Sequence, residues 1–263
     1  MDVVNSKVNA AKESWAASYD AIQAGAYSPT QLGRNFGPWS EMGRPASDAV
    51  TQWDSGCDVN LVRWILARSV ETPPGFELHQ QLHRHVQQRL AMAQSGEKID
   101  FGGAEAAAFG SLLHQGFSVR IAGQEAGRAT FAHRHAILTE QESERQITPL
   151  ADLGDFEPVN APLTEQAVVA YEWGYAADHP RRLVLWEAQF GDFWNQAEVS
   201  VDTLLTCGEA KWGLQGTRVF LILTQLTKSE IRFLFHKLIV LAYQISPSPS
   251  LTSTVIFNFE IAS

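Results

Sequence analysis

The chain has 263 residues, 45% of them hydrophobic and 19% charged, which is enough apolar material for one sizeable core or two small domains and argues against dominant disorder. A formal net charge of −9 without any long lysine or arginine block disfavours nucleic acid and anionic membrane surfaces as partners. The two cysteines, Cys57 and Cys207, are far apart and have no redox or metal-type neighbour, so a disulfide framework is disfavoured and a reducing compartment fits.

The opening run MDVVNSKVNAAKESW has neither the apolar core of a secretory signal nor the arginine-rich face of a transit peptide. Either the protein is cytoplasmic or its true start lies upstream. A short helix is expected over residues 7–24, followed by a glycine-, proline- and serine-punctuated loop over 25–45. After Pro73 and Pro74, Leu78, Leu82, Val86 and Leu90 recur every four residues, and Gly96 follows as a C-terminal cap. This pattern predicts an amphipathic helix packed on something larger.

From Asp100 the character changes. Asp100 can cap an alanine-rich helix, AEAAAFGSLLHQ, which stops at Gly116 and leads into the β-branched run FSVRIAG. The helix-then-strand unit recurs as LTEQAVVAYEWGYAA with RLVLWEA, and again as NQAEVSVDTLLTC with RVFLILT. Such alternation predicts an α/β domain with a mostly parallel sheet flanked by helices, over about residues 99–224. Ligands then bind beyond the carboxyl ends of the strands, in the loops after Gly123, Trp186 and Leu223. The tail shows no clean period, and its run FLFHKLIVLAYQI, broken by His236 and Lys237, is shorter than the roughly 20 residues a bilayer needs.

Three places carry chemistry. The loop GQEAGRATFAHRH concentrates Gln124, Glu125, Arg128, His133, Arg134 and His135, where two histidines around an arginine can bind a carboxylate or move a proton. Arg134 between the rings argues against a metal, and surface decoration is the plainer alternative. Glu165 opens a helix, where an acid is electrostatically stabilised whether it caps or catalyses. Residues 186–195, WEAQFGDFWN, place aromatic rings and the acids Glu187 and Asp192 just after a strand. The rings suit either a flat heterocycle or a core, and the acids make only a weak case for glycoside hydrolysis. No dinucleotide fingerprint, phosphate loop or nucleophile elbow is present.

The runs FGGAEAAAFGSLL, VRIAGQEAGRATFAHRHA, PLTEQAVVAYEWGYA, LVLWEAQFGDFWNQAEVSVDTLL and GEAKWGLQ, about residues 99–215, resemble the E1 components of the 2-oxoglutarate and 2-oxoadipate dehydrogenase complexes. Residues 39–90 resemble the same proteins more weakly, with a lean toward the 2-oxoadipate branch. The resemblance implies a transketolase-like pyrimidine-binding domain and thiamine diphosphate as cofactor. Glu165 then falls where the family's carboxyl bonds N1′ of the aminopyrimidine and promotes its imino tautomer, which deprotonates the thiazolium. Phe190 and Phe193 are implied to stack on the pyrimidine, Gln189 to add a polar contact, and His133 and His135 to face the substrate.

The implied partners are an E1 homodimer mate, a lipoyl-bearing E2 component and a small 2-oxo acid. The implied roles are in the tricarboxylic acid cycle or lysine degradation, in the mitochondrial matrix of a eukaryote or the cytoplasm of a bacterium. Magnesium is implied only through a diphosphate-binding domain whose Gly-Asp-Gly motif does not occur before Ile99. Beyond Gln215 the run RVFLILTQLTKSEIRF replaces the family's Pro-His-Gly turn. The expected organisation is thus a helical, linker-like segment 1–98, the pyrimidine-binding domain 99–224, and a divergent tail 225–263 outside the family fold. The chain is expected to be a fragment of such an enzyme, or an inactive truncated chain that at most associates with E1 subunits.

Overall fold

A computed structural model describes residues 2–25, 37–40, 56–189, 193–212 and 219–223. The expectations for the tail after 224 and for most of the loop at 25–45 lie outside these residues. The chain divides into residues 1–36 and a larger unit from Gly37 onward. The first unit is one helix, α1 (Asp2–Gln23), longer at its start than the expected 7–24. Its side chains, Val8, Trp15 and Tyr19 included, are exposed.

The larger unit begins with a single 3-10 turn at Gly37–Trp39, whose buried Trp39 donates from Nε1 to the Ala177 carbonyl at 2.8 Å. Helix α2 (Val59–Arg68) was not expected from the sequence. Asp58 starts it, its Oδ1 accepting from the backbone N–H groups of Asn60 and Leu61 at 2.8 and 3.1 Å. Helix α3 (Gln80–Ser95) ends at Gly96 with φ of 70°, the left-handed cap that the sequence announced. Its inward face departs in part from the expected leucine stripe: Leu82 and Val86 are half-buried, but Leu90 is exposed, whereas Arg89 and Ala93 are buried. Helix α4 (Phe101–His114) is capped as expected, Asp100 Oδ1 accepting from Gly103 N at 2.7 Å, and is buried almost throughout.

Strand β1 (Ser118–Gly123) follows, then a two-stranded hairpin, β2 (Leu138–Thr139) with β3 (Gln146–Ile147), and a 3-10 turn at Pro149–Leu153. Next come β4 (Phe156–Asn160), α5 (Glu165–Asp178), β5 (Arg182–Ala188) and α6 (Trp194–Ser200). A π-helical turn at Val201–Thr206, α7 (Gly208–Trp212) and β6 (Val219–Leu223) complete the described chain. The main sheet has the order β4-β1-β5-β6 and is parallel at every pairing, as the repeated helix-strand units required.

Side-chain alternation splits β5 between two cores. Leu185 joins Val119 and Ile121 of β1 beneath Ile65, Phe109, Leu112 and Leu113, so α2 and α4 cover one face. Val184, Trp186 and Ala188 face the other way, against Val168, Val169 and Ala176 of α5 and Ala197 of α6. A third cluster, Leu66 with Ala93 and Ala107, joins α2, α3 and α4. Residues 59–95 therefore pack directly on the sheet-covering helix. No helix among the described residues is long and apolar enough to cross a membrane.

Candidate active site

Parallel register sets Gly123 level with both Asn160 and Glu187, so the carboxyl ends of β1, β4 and β5 lie side by side. Gln124 and Gln189 follow two of those strand ends, and Glu165 follows the third across the turn at 161–164. Three positions separated in sequence thus converge where a parallel sheet binds ligands.

Glu165 is only 9% exposed although it opens α5. Its Oε1 accepts from Gln124 Nε2 at 3.5 Å, and no protein group among the described residues hydrogen-bonds its Oε2. Helix capping does not account for this residue. A capping box puts the acid at the third helical position, whereas Glu165 is at the first, and Thr164 makes no side-chain cap bond. The arrangement is a buried carboxylate beside the positive end of a helix, with one oxygen left for a ligand.

In the His-Arg-His run the structure separates three neighbours. Arg134 is buried and bidentate on Glu105 of α4, with Nε to Oε1 at 2.6 Å and Nη2 to Oε2 at 2.9 Å. Its Nη1 donates to the Ala126 carbonyl at 2.7 Å and to Glu187 of β5. Burial alone would raise the Glu105 carboxyl, but Arg134, aided by His133, brings it down to about 2. Burial raises Glu187 and prevails there, because Glu187 has a single Arg134 bond, a neighbouring Glu105 charge and an unpartnered Oε1. Arg134 is therefore an internal clamp between helix and strand, not a ligand-binding cation. Glu187 belongs to that clamp, which removes it from a hydrolytic acid pair.

The clamp turns the flanking rings different ways. His133 packs edge-on against Phe101, ring centroids 5.2 Å apart, and its buried Nε2 lies 3.9 Å from Glu105, too far for a hydrogen bond. His135 meets His85 of α3 edge-on at 4.8 Å. Burial, then the charges of Arg128 and Arg89, lower the His135 pKa, so its neutral ring is favoured. The helix α4 must come close to this loop: a Cβ on Gly102 would stand 2.1 Å from the His133 carbonyl oxygen.

Of the remaining candidates, Gln189 is half-buried at the end of β5, and Phe193 is exposed at the start of α6. Phe190 and Asp192 lie outside the described residues. Trp186 is in the core beneath α5, so it walls no ligand. Glu125 and Arg128 pair with each other at the surface. Sequence reasoning missed Glu105, hidden in an alanine-rich helix, and missed Arg120. Arg120 meets Glu172 at 2.7 Å, also pairs with Glu157, and lies against the Tyr175 ring at 4.7 Å. An arginine inside the β-branched run was the available signal. No group of three or more His, Cys, Asp or Glu among the described residues is arranged to hold a metal.

Comparison with known proteins supplies the deciding observation: residues 97–224 match the family model for the transketolase pyrimidine-binding domain. The chain is 43% identical over 190 residues to the human 2-oxoadipate dehydrogenase complex component E1, covering 70% of this chain and 21% of that protein. A Caenorhabditis elegans protein named a probable 2-oxoadipate dehydrogenase complex component E1 homolog is 43% identical over 175 residues, 64% of this chain and 19% of its own. The 2-oxoglutarate dehydrogenase E1 component of Brucella anthropi is 37% identical over 207 residues, 76% of this chain and 20% of its own. Residues 97–224 are thus similar to a transketolase pyrimidine-binding domain, and the wider match is to E1 components of this kind. The parallel sheet and flanking helices agree with that similarity. The aligned stretches are longer than the domain, so the likeness includes sequence beside it. The chain spans about a fifth of the length of the curated relatives it matches.

Proposed function

We propose that this chain supplies the pyrimidine-binding part of a thiamine-diphosphate-dependent 2-oxo acid dehydrogenase E1, with Glu165 as the carboxyl that meets the aminopyrimidine. The observation that carries the reading is the Glu165 carboxylate itself. It is buried at the sheet's carboxyl end, is not used as a cap, and keeps Oε2 without a hydrogen-bond partner among the described residues. These features fit a ring nitrogen that must share a proton.

Thiamine diphosphate, when bound, supplies the nucleophilic carbon that adds to the 2-oxo group. The chain's part is to hold and orient. Glu165 Oε2 holds the proton shared with N1′ of the pyrimidine, and Gln124 steadies Oε1 from the end of β1. Gln189 and Phe193 border the ring, and Phe190 is assigned the same role from its place in the run FGDF. His133 and His135 are the candidates for the substrate side. The overall reaction proposed is decarboxylation of 2-oxoglutarate or 2-oxoadipate with acyl transfer to a lipoyl arm on E2, in an E1 dimer. Magnesium would enter with the diphosphate, through residues other than these. A matrix location in a eukaryote, or a cytoplasmic one in a bacterium, follows the same reading.

The test is made in a full-length relative carrying this segment. Glu165→Ala is expected to lower turnover by about 10² or more while cofactor affinity changes a few-fold. Equal losses in turnover and affinity would reduce Glu165 to a structural residue.

A further inference from the structure

Between α3 and the loop that follows β1 lies a cavity of about 620 Å³, within the range of small-ligand sites. Its lining among the described residues holds Arg84, Arg128, His79, His85 and His135, and not one carboxylate. That composition stands out in a chain with 29 acids against 20 lysines and arginines. We propose that this cavity is a binding site for a small oxyanion, a carboxylate or a phosphate, held by Arg84 and Arg128 with neutral donors around them.

Four observations support the site. Arg84 makes no ion pair among the described residues. Arg128 has only the exposed Glu125 beside it, both side chains being more than half exposed, so that pair is weak and readily exchanged. Behind the wall, Arg89 is 2% exposed and has no ion pair among the described residues. Its guanidinium makes two long neutral bonds, to Ser69 Oγ at 3.3 Å and to the His133 carbonyl at 3.4 Å. Asp100 and Glu105 are the carboxylates whose charge reaches it, and Arg89 adds positive potential behind the wall. Burial and the Arg89 charge bring His85 down to about 4, which registers the positive field on a lining residue.

The polar lining adds donors rather than negative charge. Asn160 Oδ1 accepts from Gly127 N at 2.9 Å, which assigns its other amide atom as a free NH₂ donor. The loop is also held in a costly shape: Glu125, Ala129, Ala132 and His135 all have positive φ, between 44° and 66°. Four such non-glycine residues within one loop are unfavourable and persist where the surroundings over-determine them, a pattern that clusters at ligand sites. Three histidines invite a metal instead, but no set of three or more ligating side chains among the described residues is arranged to hold one. Of the two arginines, Arg84 comes from α3, which precedes the residues 97–224 matched by the family model.

The experiment is a titration of the 263-residue chain, separately with inorganic phosphate and with glutarate, following the His85 and His135 ring resonances by NMR. Saturable shifts of both rings with either anion, weakened at least tenfold in the Arg84→Gln/Arg128→Gln variant, are expected. A response to phosphate alone assigns a phosphorylated ligand, and a response to glutarate alone assigns a dicarboxylate. Both substitutions fall on exposed side chains, so the variant keeps its fold, which its unchanged methyl spectrum reports. No shift with either anion up to about 10 mM, or shifts of equal affinity in the variant, would overturn the site. Neither result bears on Glu165, which does not line this cavity.

Discussion

At the scale of single residues, Arg134 decides the geometry of the loop that sequence motifs singled out. One guanidinium is shared by two buried carboxylates, Glu105 and Glu187, contributed by a helix and a strand. Arg134→Met removes the cation and strands both acids, so a loss of about 3–5 kcal/mol in unfolding free energy is expected from urea titration. A loss under 1 kcal/mol would mean that the acids are neutral already. Protonation gives a second expectation. His85 has a folded pKa of about 4, below its ordinary 6.5, so the unfolded chain binds the proton first as pH falls. Stability from His85 is therefore present above 6.5 and lost as pH drops toward 4. Glu187, raised by burial, works in the opposite sense, so the clean readout is a difference. Wild type should lose more stability than His85→Gln between pH 6.5 and 4, and parallel curves would contradict the assignment.

At the scale of elements, most helices and strands of the domain were legible because each carries its own punctuation. Asp100 caps α4, Gly96 ends α3, and RLVLWEA is β5 residue for residue. Others were not. The strand β4, FEPVN, contains a proline and only two or three apolar residues, and forms because β1 offers it an edge. The inward face of α3 was misread because the helix turns Arg89 toward Ser69 and the His133 carbonyl, a partner set no periodicity reveals. Helix α2 carries a legible aspartate cap, but its tie to the domain lies in contacts with α4. Leu66 is fully buried there, so Leu66→Ala is expected to cost about 2–5 kcal/mol by thermal or chemical unfolding. An effect near zero would show that α2 does not pack on the domain in solution.

At the scale of the whole molecule, the proposed function would give a chain that spans about a fifth of its relatives one wall of a cofactor site. In the proposed role Glu165 and its neighbours would meet the pyrimidine, whereas the diphosphate carries most of the cofactor's charge and calls for magnesium. Isothermal titration of the 263-residue chain with thiamine diphosphate and magnesium is therefore expected to show weak or no binding. Tight, magnesium-dependent binding would show that the chain completes the site without other domains. The alternation of α4, β1, α5, β5 and α6, the parallel sheet and the position of Glu165 at a helix start were legible in the sequence alone, since periodicity and caps are local properties. Which way each residue of the His-Arg-His run points, and that its arginine is spent on Glu105 and Glu187, only the tertiary structure decided. Those partners are 29 and 53 residues away along the chain, and nothing local encodes a contact made by the stacking of a helix on a sheet.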